Sequence, residues 1–233
     1  MSFSSIPLHE AQLEIFEVGS FDAIKRGDVH GKTCPHTIFA QAEQGRYEVT
    51  CGDGRHVMLA PREAFLTGAN VPLRIVHHGD KAAGYRMRAR WIHLHVTLYG
   101  IVDALSLLDL PLRVTARQCE PFGEIIEEFA TREAQTDASF GHLARRSELG
   151  FRAFRLLGEL APLRADAMEV LGQRHRLGPI LHVMRNRLSE KITVADLARA
   201  ASLSVPQFHV FFRRYVRSSP MDYLKHLRLS EAS

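Results

Sequence analysis

The sequence has little cysteine and no long apolar run, and both shortages narrow the class of protein. Its 233 residues include three cysteines and one tryptophan. The cysteines are odd in number and none are spaced as Cys-x-x-Cys, so we expect reduced thiols in a cytoplasmic protein and not a disulfide framework. No apolar stretch is long enough to cross a bilayer, which argues against a membrane partner. The N-terminus also lacks the basic segment and apolar block of a secretory signal.

Motifs of the common catalytic classes are missing as well. The chain has no P-loop, no glycine-rich dinucleotide loop and no recognisable Ser-His-Asp set. We therefore expect no enzyme activity and no bound cofactor.

The charge is unevenly distributed along the chain. The net charge is +4, but residues 174–233 contain eleven lysines and arginines against four acidic residues, a net +7. The first 173 residues hold nineteen basic and twenty-two acidic side chains, a net −3. A basic C-terminal segment attached to a mildly acidic one favours a nucleic-acid-binding module joined to another domain, with a merely solvated basic surface as the alternative.

Residues 1–115 have the pattern of short strands separated by turns. In "EQGRYEVTCGDGRHVMLAP", apolar residues alternate up to Cys51, and Gly52-Asp53-Gly54 then predicts a hairpin turn. In "YRMRARWIHLHVTLYG", every second residue up to Trp91 is apolar, and from Ile92 onward the apolar residues fall on the other face of the strand. This change of face predicts a bulge or a strand that passes between two packed layers. Many short strands with hairpin turns indicate a β-barrel or sandwich.

Residues 116–172 change to helical periodicity, with two apolar stripes on either side of a polar break. Two such helices form a hairpin that packs on the barrel or on a second subunit. The first stripe is Phe122, Ile125, Ile126 and Phe129, and the second is Phe151, Phe154, Leu157 and Ala161. We expect Phe151, Phe154 and Leu157 of the second stripe to support dimerisation.

Residues 173–233 predict an all-helical module. Thr193 and Asp196 fit the start of one helix, and Ser204 with Gln207 forms a capping box that begins another. Pro206 falls in the first turn of that second helix, where its missing N–H is tolerated. The spacing of Phe208, Phe211, Phe212 and Tyr215 predicts a buried stripe, which leaves the arginines facing solvent. Two short helices joined by a tight turn are typical of a helix-turn-helix.

At this point the chain resembles a known family. The segment "KITVADLARAASLSVPQFHVFFRRYVRSSPMDYLKHLRLSEA" is similar to the first half of the DNA-binding domain of AraC-type transcriptional regulators. The upstream segments "HTIFAQAEQGRYEVTCGDGRHVMLAPREAFLTGANVPLRI" and "RARWIHLHVTLYGIVDALSLLDLP" resemble the cupin-like sensor domain of the same family. The resemblance implies an α+β fold with a cupin-like effector-sensing domain at 1–115, a helical hairpin at 116–172 and a helix-turn-helix domain at 173–233.

The resemblance also assigns DNA contacts to the second helix of the helix-turn-helix. Arg213 and Arg214 would meet phosphates. Two positions depart from the family pattern: Val210 stands where relatives often carry a long polar side chain, and Arg217 where a glycine usually ends the helix. The implied DNA-binding residues are Val205, Pro206, Gln207, His209, Val210, Arg213 and Arg214.

The cupin-like domain implies a small-molecule effector bound inside the barrel. The candidate lining residues are Phe39, Tyr47, Trp91, His93 and His95. His93 and His95 share a strand face and raise the alternative of a metal site, but their surroundings do not match the cupin metal pattern, so we expect no metal. Two other functions stay open: a metal-binding cupin enzyme, and a dimeric sensor with a vestigial DNA-binding module.

Further partners follow from the same resemblance. Promoter DNA is the principal partner, RNA polymerase is a further candidate, and a homodimer is expected. The family's domain has a second helix-turn-helix after the linker helix "PMDYLKHLRLSEAS", and the sequence ends before it. We therefore expect a domain truncated after the linker helix, either because the natural protein is longer or because one unit suffices with dimerisation.

Overall fold

The chain has an α+β fold made of antiparallel sheets and helices. The computed structural model describes residues 11–98, 102–133, 139–172, 177, 180–181, 183–184, 186–216 and 218–231. The chain divides into two compact units. Among the described residues, the larger unit contains those from 11 to 97 and from 103 to 164, and the smaller contains those from 165 onward together with Leu98 and Val102.

Ten strands and six helices have both ends within the described residues. The strands are β1 (Ala11–Ile24), β2 (Arg26–Lys32), β3 (Thr37–Gln44), β4 (Arg46–Cys51), β5 (His56–Met58), β6 (Ala64–Thr67), β7 (Leu73–His78), β8 (Arg86–Leu98), β9 (Val102–Asp103) and β10 (Arg113–Val114). The helices are α1 (Ala116–Glu133), α2 (Phe140–Leu160), α3 (Ala167–Gly172), α4 (Val194–Ala200), α5 (Val205–Val216) and α6 (Pro220–Glu231). Short 3₁₀ turns follow β7 and β9.

The strands form two sheets that share one apolar core. One sheet has the order β1-β8-β3-β6-β10 with β9 paired to β8, and the other has the order β2-β7-β4-β5. The core takes Ile38 and Met87 from the first sheet and Val49 and Ile75 from the second, so the two sheets pack face to face. The predicted hairpin at Gly52-Asp53-Gly54 is present: it joins the antiparallel strands β4 and β5, with Gly54 at φ 89°.

Strand β8 lies between two packed layers, which explains why its apolar residues change from one face of the strand to the other. Met87 and Ala89 belong to the core between the sheets. Further along, Ile92 and Leu94 are buried on the opposite face of β8. Phe39 of β3 lies on that same face of the sheet, because it pairs with Ile92. Phe39 is in turn covered by α1. The predicted passage between layers is therefore observed on β8, and the ladder that pairs β8 with β3 also has a register irregularity between Ala42 and Gln44.

Helices α1 and α2 pack against the first sheet. The predicted stripe of α1 is buried, and Phe122 stacks on Phe39 with ring centroids 4.3 Å apart. The predicted stripe of α2 is only partly right, because Leu157 is buried but Phe151 is exposed. The buried face instead uses Gly150 and Ala153, and a side chain at position 150 would collide with Leu13 of β1. Small residues let α2 approach the strand closely, and an apolar-periodicity pattern does not register them.

The smaller unit surrounds a separate apolar core. Its buried residues include Leu197 and Ala198 of α4, Phe208 and Phe212 of α5, and Leu224 of α6. A tight turn joins α4 to α5, and its central residue Ser202 adopts a left-handed φ of 54°, a conformation that costs a non-glycine residue roughly 1 kcal/mol.

Both predicted helix starts in this unit are confirmed. Thr193 and Asp196 form a reciprocal capping box at the start of α4. At the start of α5, the backbone N–H and hydroxyl of Ser204 both donate to Gln207 Oε1, at 3.2 and 2.9 Å. None of the described helices combines the length and hydropathy needed to cross a bilayer.

Candidate functional site

Helix α5 has one face in the core and one in solvent. Phe208, Phe212 and Tyr215 are buried, and Phe211 is half-buried beside them. On the exposed side, Pro206, Gln207 and both arginines are exposed, His209 is half-buried, and Val205 and Val210 are 40% and 71% exposed. The aromatic residues of this helix therefore stabilise the unit, and the predicted DNA-binding residues except His209 lie largely in solvent.

The two arginines of α5 differ in their surroundings. Arg213 is exposed and makes no hydrogen bond or ion pair with any residue in the described part of the chain. Arg214 donates from Nη2 to Oε1 of Glu169 on α3 at 2.9 Å, and its guanidinium lies over the Tyr215 ring with the centroid 5.5 Å away. A phosphate could therefore contact Arg213 directly, whereas at Arg214 it would have to displace a carboxylate. Arg217, the second departure from the family pattern, lies outside the described residues.

A row of aromatic rings lies in the larger unit, on the face of β8 that is turned toward the second sheet. His36 and His93 have ring centroids 4.5 Å apart, His93 and Trp91 lie 6.4 Å apart, and Trp91 and Phe21 lie 6.3 Å apart. Gly19 leaves space for the indole, because a Cβ at this position would collide with Trp91. The row is half-buried, so it forms a partly accessible wall of flat side chains.

The histidines of this row lie in a setting that favours their neutral form. Burial lowers the pKa of His36, and burial followed by the repulsion of His36 lowers the pKa of His93. Glu17 Oε2 lies 3.4 Å from His93 Nδ1 and opposes this effect. Both ring nitrogens of His36 are buried without a hydrogen-bond partner among the described residues. Unpaired buried polar atoms are costly, and a ligand that supplied partners would remove that cost.

The predicted effector-binding residues do not all lie together. Trp91 and His93 are in the row. Tyr47 is buried in the sheet core near His77, with centroids 5.2 Å apart, and its burial raises the pKa of the phenol. His95 follows His93 by two residues on β8, so it lies on the same face of the strand, and it is half-buried.

The prediction for Phe39 needs correction. Its neighbours Ile38 and Ala40 pair with His93 and Trp91 across the sheet, so Phe39 points to the opposite face, where it packs on Phe122. Successive side chains of a strand alternate between faces, and the strand register decides which face meets which layer.

The sequence-based list of effector-binding residues lacked two members of the row and one residue beside it. His36, Phe21 and Glu17 come from β1 and from the residue before β3, far in sequence from β8. No spacing within the chain links them to Trp91. Only the pairing of the strands brings them there.

The lowered pKa values of three histidines in the larger unit predict a loss of stability at mildly acid pH. The pKa values of His36, His93 and His77 are lowered in the folded protein, chiefly by burial, so the unfolded chain, with ordinary values of about 6.5, binds protons first. Above about pH 6.5 these histidines do not change the free energy of unfolding of the larger unit. As the pH drops from about 6.5 toward about 5, that free energy falls. Urea denaturation followed by the fluorescence of Trp91, the only tryptophan, measures this trend.

The variant His36→Asn is the control for this prediction. Burial raises the pKa of Asp103, which contributes the opposite trend in both proteins, so the difference between wild type and variant isolates the histidine contribution. We expect a shallower pH dependence in the variant. Identical slopes would rule out the assignment to His36.

Comparisons with known proteins give structural likenesses only. No protein-family model matches the chain, and no curated protein is significantly similar to it. The AraC-like transcriptional activator CuxR is 13% identical, with 92% of this chain and 76% of that chain covered and a TM-score of 0.48. Fatty-acid-bound ToxT from Vibrio cholerae is 14% identical, with 90% and 94% covered and a TM-score of 0.34. A cupin superfamily protein from Desulfitobacterium hafniense is 15% identical, with 36% and 74% covered and a TM-score of 0.29. At these values a likeness does not establish a shared function.

Proposed function

We propose that the protein is a sequence-specific DNA-binding transcriptional regulator of AraC type, controlled by a small-molecule effector bound in its β unit. The observation that carries this proposal is α5. It begins at a capping box, buries its aromatic stripe and exposes its first turn together with Arg213, which pairs with none of the described residues. It lies within the part of the chain that has a net charge of +7. A helix of this kind can lie in the major groove with its N-terminal residues toward the base edges.

The sensing half of the proposal is supported by the aromatic row in the larger unit. Half-buried rings are suited to hold a small molecule where, as on His36, the ring nitrogens have no hydrogen-bond partner in the described part of the chain. Control requires that the effector bind two arrangements of the protein with different affinities, because only a difference in affinity shifts a population.

The proposal includes a homodimer, with RNA polymerase as a further candidate partner and the cytoplasm as its location. Support for a dimer comes from α2, which exposes Phe140, Leu143 and Phe151. These residues follow one another at spacings of three and eight, so they lie on one side of the helix. The stripe predicted for this role included Leu157, which is unsuitable because it is buried within its own unit. The three cysteines are free thiols, as a reducing compartment requires.

Two other functions predict different results. A metal-binding cupin enzyme would contain stoichiometric metal, and elemental analysis of the purified protein would detect it. Within the described residues, no group of three or more histidine, cysteine or acidic side chains is arranged to hold an ion. A dimeric sensor with a vestigial helical module would bind no DNA.

The direct test of the proposal is DNA binding at several salt concentrations. The full chain is titrated against a fluorescent duplex, and anisotropy gives the dissociation constant. For the helical module we expect non-specific constants of roughly 10⁻⁴ to 10⁻⁶ M, with a steep decrease of affinity as salt rises. Binding that is absent at low salt would contradict the proposal and favour the vestigial sensor.

The variant Glu169→Gln is expected to tighten DNA binding a few-fold. Glu169 forms an ion pair with the guanidinium of Arg214, and both side chains are more than half exposed. The pair therefore contributes at most about 1 kcal/mol to the stability of the folded protein. Removing the carboxylate charge frees Arg214 for a phosphate and steepens the salt dependence by up to about 0.9 in the logarithmic slope. Anisotropy titrations at low and moderate salt measure both effects.

The matched control is Glu159→Gln. Glu159 also pairs with an exposed arginine, Arg155, but on α2 of the larger unit. Its neutralisation changes the net charge equally and should leave the salt slope unchanged. Equal responses of the two variants would show that only net charge matters.

A further inference from the structure

The most exposed of the large apolar residues of α5 lies on its outer face. Val210 is 71% exposed, and it lies opposite the buried stripe of Phe208, Phe212 and Tyr215. Pro206 and Arg213 are its neighbours on the helix surface, four residues before it and three after it. A valine in this place contributes nothing to the core of its own unit.

Two of the polar side chains near Val210 are already engaged within the unit. Gln207 Oε1 accepts two hydrogen bonds from Ser204 at the helix start, whereas recognition of adenine requires both the oxygen and the nitrogen of the amide. Arg214 is bound to Glu169. The centre of the exposed face is therefore occupied by the aliphatic groups of Pro206 and Val210.

An aliphatic side chain can recognise only one feature of the major groove. Thymine presents a 5-methyl group there, whereas guanine, adenine and cytosine present hydrogen-bond donors and acceptors. A valine against one of those polar groups would remove it from water without supplying a partner, at a cost.

We propose that Val210 is a specificity-determining residue that contacts the 5-methyl group of thymine, flanked by Pro206. This inference rests on the proposed function, because it requires α5 to enter the major groove. The recognised half-site then carries a thymine at the base step beneath Val210, and a 5-methylated cytosine satisfies the same contact.

Four short duplexes test the inference on the full chain. One alternates adenine and thymine, and the second replaces every thymine by uracil, which lacks only the methyl group. The third alternates guanine and cytosine, and the fourth carries 5-methylcytosine. We expect the wild type to bind each methylated duplex about fourfold more tightly than its unmethylated counterpart for each methyl group contacted.

Two variants assign the effect to Val210. In Val210→Ala the preference for methylated duplexes should be lost, while affinity for the uracil duplex stays near that of the wild type. The matched control is Val29→Ala, because Val29 of β2 is also exposed, at 57%, and lies in the larger unit. Its preference should equal that of the wild type.

The outcomes distinguish this inference from the proposed function. Salt-dependent binding with equal affinity for methylated and unmethylated duplexes overturns the role of Val210 and leaves the proposed function intact. A methyl preference that persists in Val210→Ala also overturns it. Absence of binding to all four duplexes at low salt overturns both.

Discussion

Replacing Arg213 and Arg214 together by alanine is expected to weaken DNA binding about a hundredfold on every sequence, if each loses a charged phosphate contact of roughly 1.5 kcal/mol. Arg213 makes no ion pair with the described residues, and Arg214 holds only the exposed carboxylate of Glu169. Both are therefore available for phosphates at modest cost. Loss of the Arg213 contact should also flatten the logarithmic salt dependence by about 0.9, and loss of the Arg214 contact adds up to about 0.9 where a phosphate has displaced Glu169.

Anisotropy titrations at low salt measure this loss, because the affinity of the variant falls out of range as salt rises. Thermal melting should be nearly unchanged, since both side chains are exposed and pack little. A control variant, Lys81→Ala with Arg155→Ala, removes two exposed cations from the larger unit. Loss of affinity in the control alone, or in neither variant, would exclude α5 as the DNA-binding element.

Phe212→Ala is expected to reduce the free energy of unfolding of the smaller unit by about 3–5 kcal/mol. The side chain is fully buried, and its ring lies 5.5 Å from that of Phe208 and 5.8 Å from that of Tyr223. Its removal leaves a cavity where α5 and α6 meet. Because small domains are stable by only about 5–15 kcal/mol, this is a large fraction of the total.

Urea denaturation with two probes measures the effect. Circular dichroism follows the helices, and fluorescence follows Trp91, which lies in the larger unit. We expect part of the helical signal to be lost at lower urea concentration while the Trp91 transition stays in place. Phe211→Ala is the control, because Phe211 is only half-buried and should produce a clearly smaller shift. Equal shifts of the two variants would contradict the packing described for α5.

The sequence predicted the helical module well because its signals are local. The capping boxes at Thr193 and Ser204 involve residues three apart, and the stripe of α5 repeats every three or four residues. Interactions within one or two turns of a helix depend little on the rest of the fold. The hairpin at Gly52-Asp53-Gly54 was predictable for the same reason.

The sites depended on contacts between segments far apart in the sequence. Phe39 was among the candidate residues of the effector pocket, yet strand register turns it toward α1. The stacking of His36 on His93 joins residues that no periodicity connects. The carboxylate that occupies Arg214 comes from α3, forty-five residues earlier.

The sequence by itself determined which segments become strands and helices, where the helices of the smaller unit begin, and which face of α5 is apolar. Those properties follow from backbone propensities, caps and periodicities that act over a few residues. Only the tertiary structure decided which face of β8 meets the second sheet, how closely Gly150 lets α2 approach β1, and which arginine of α5 is already paired. The physical reason is that side-chain direction, close packing and ion pairing depend on the register and contact of elements that the chain brings together only when it folds.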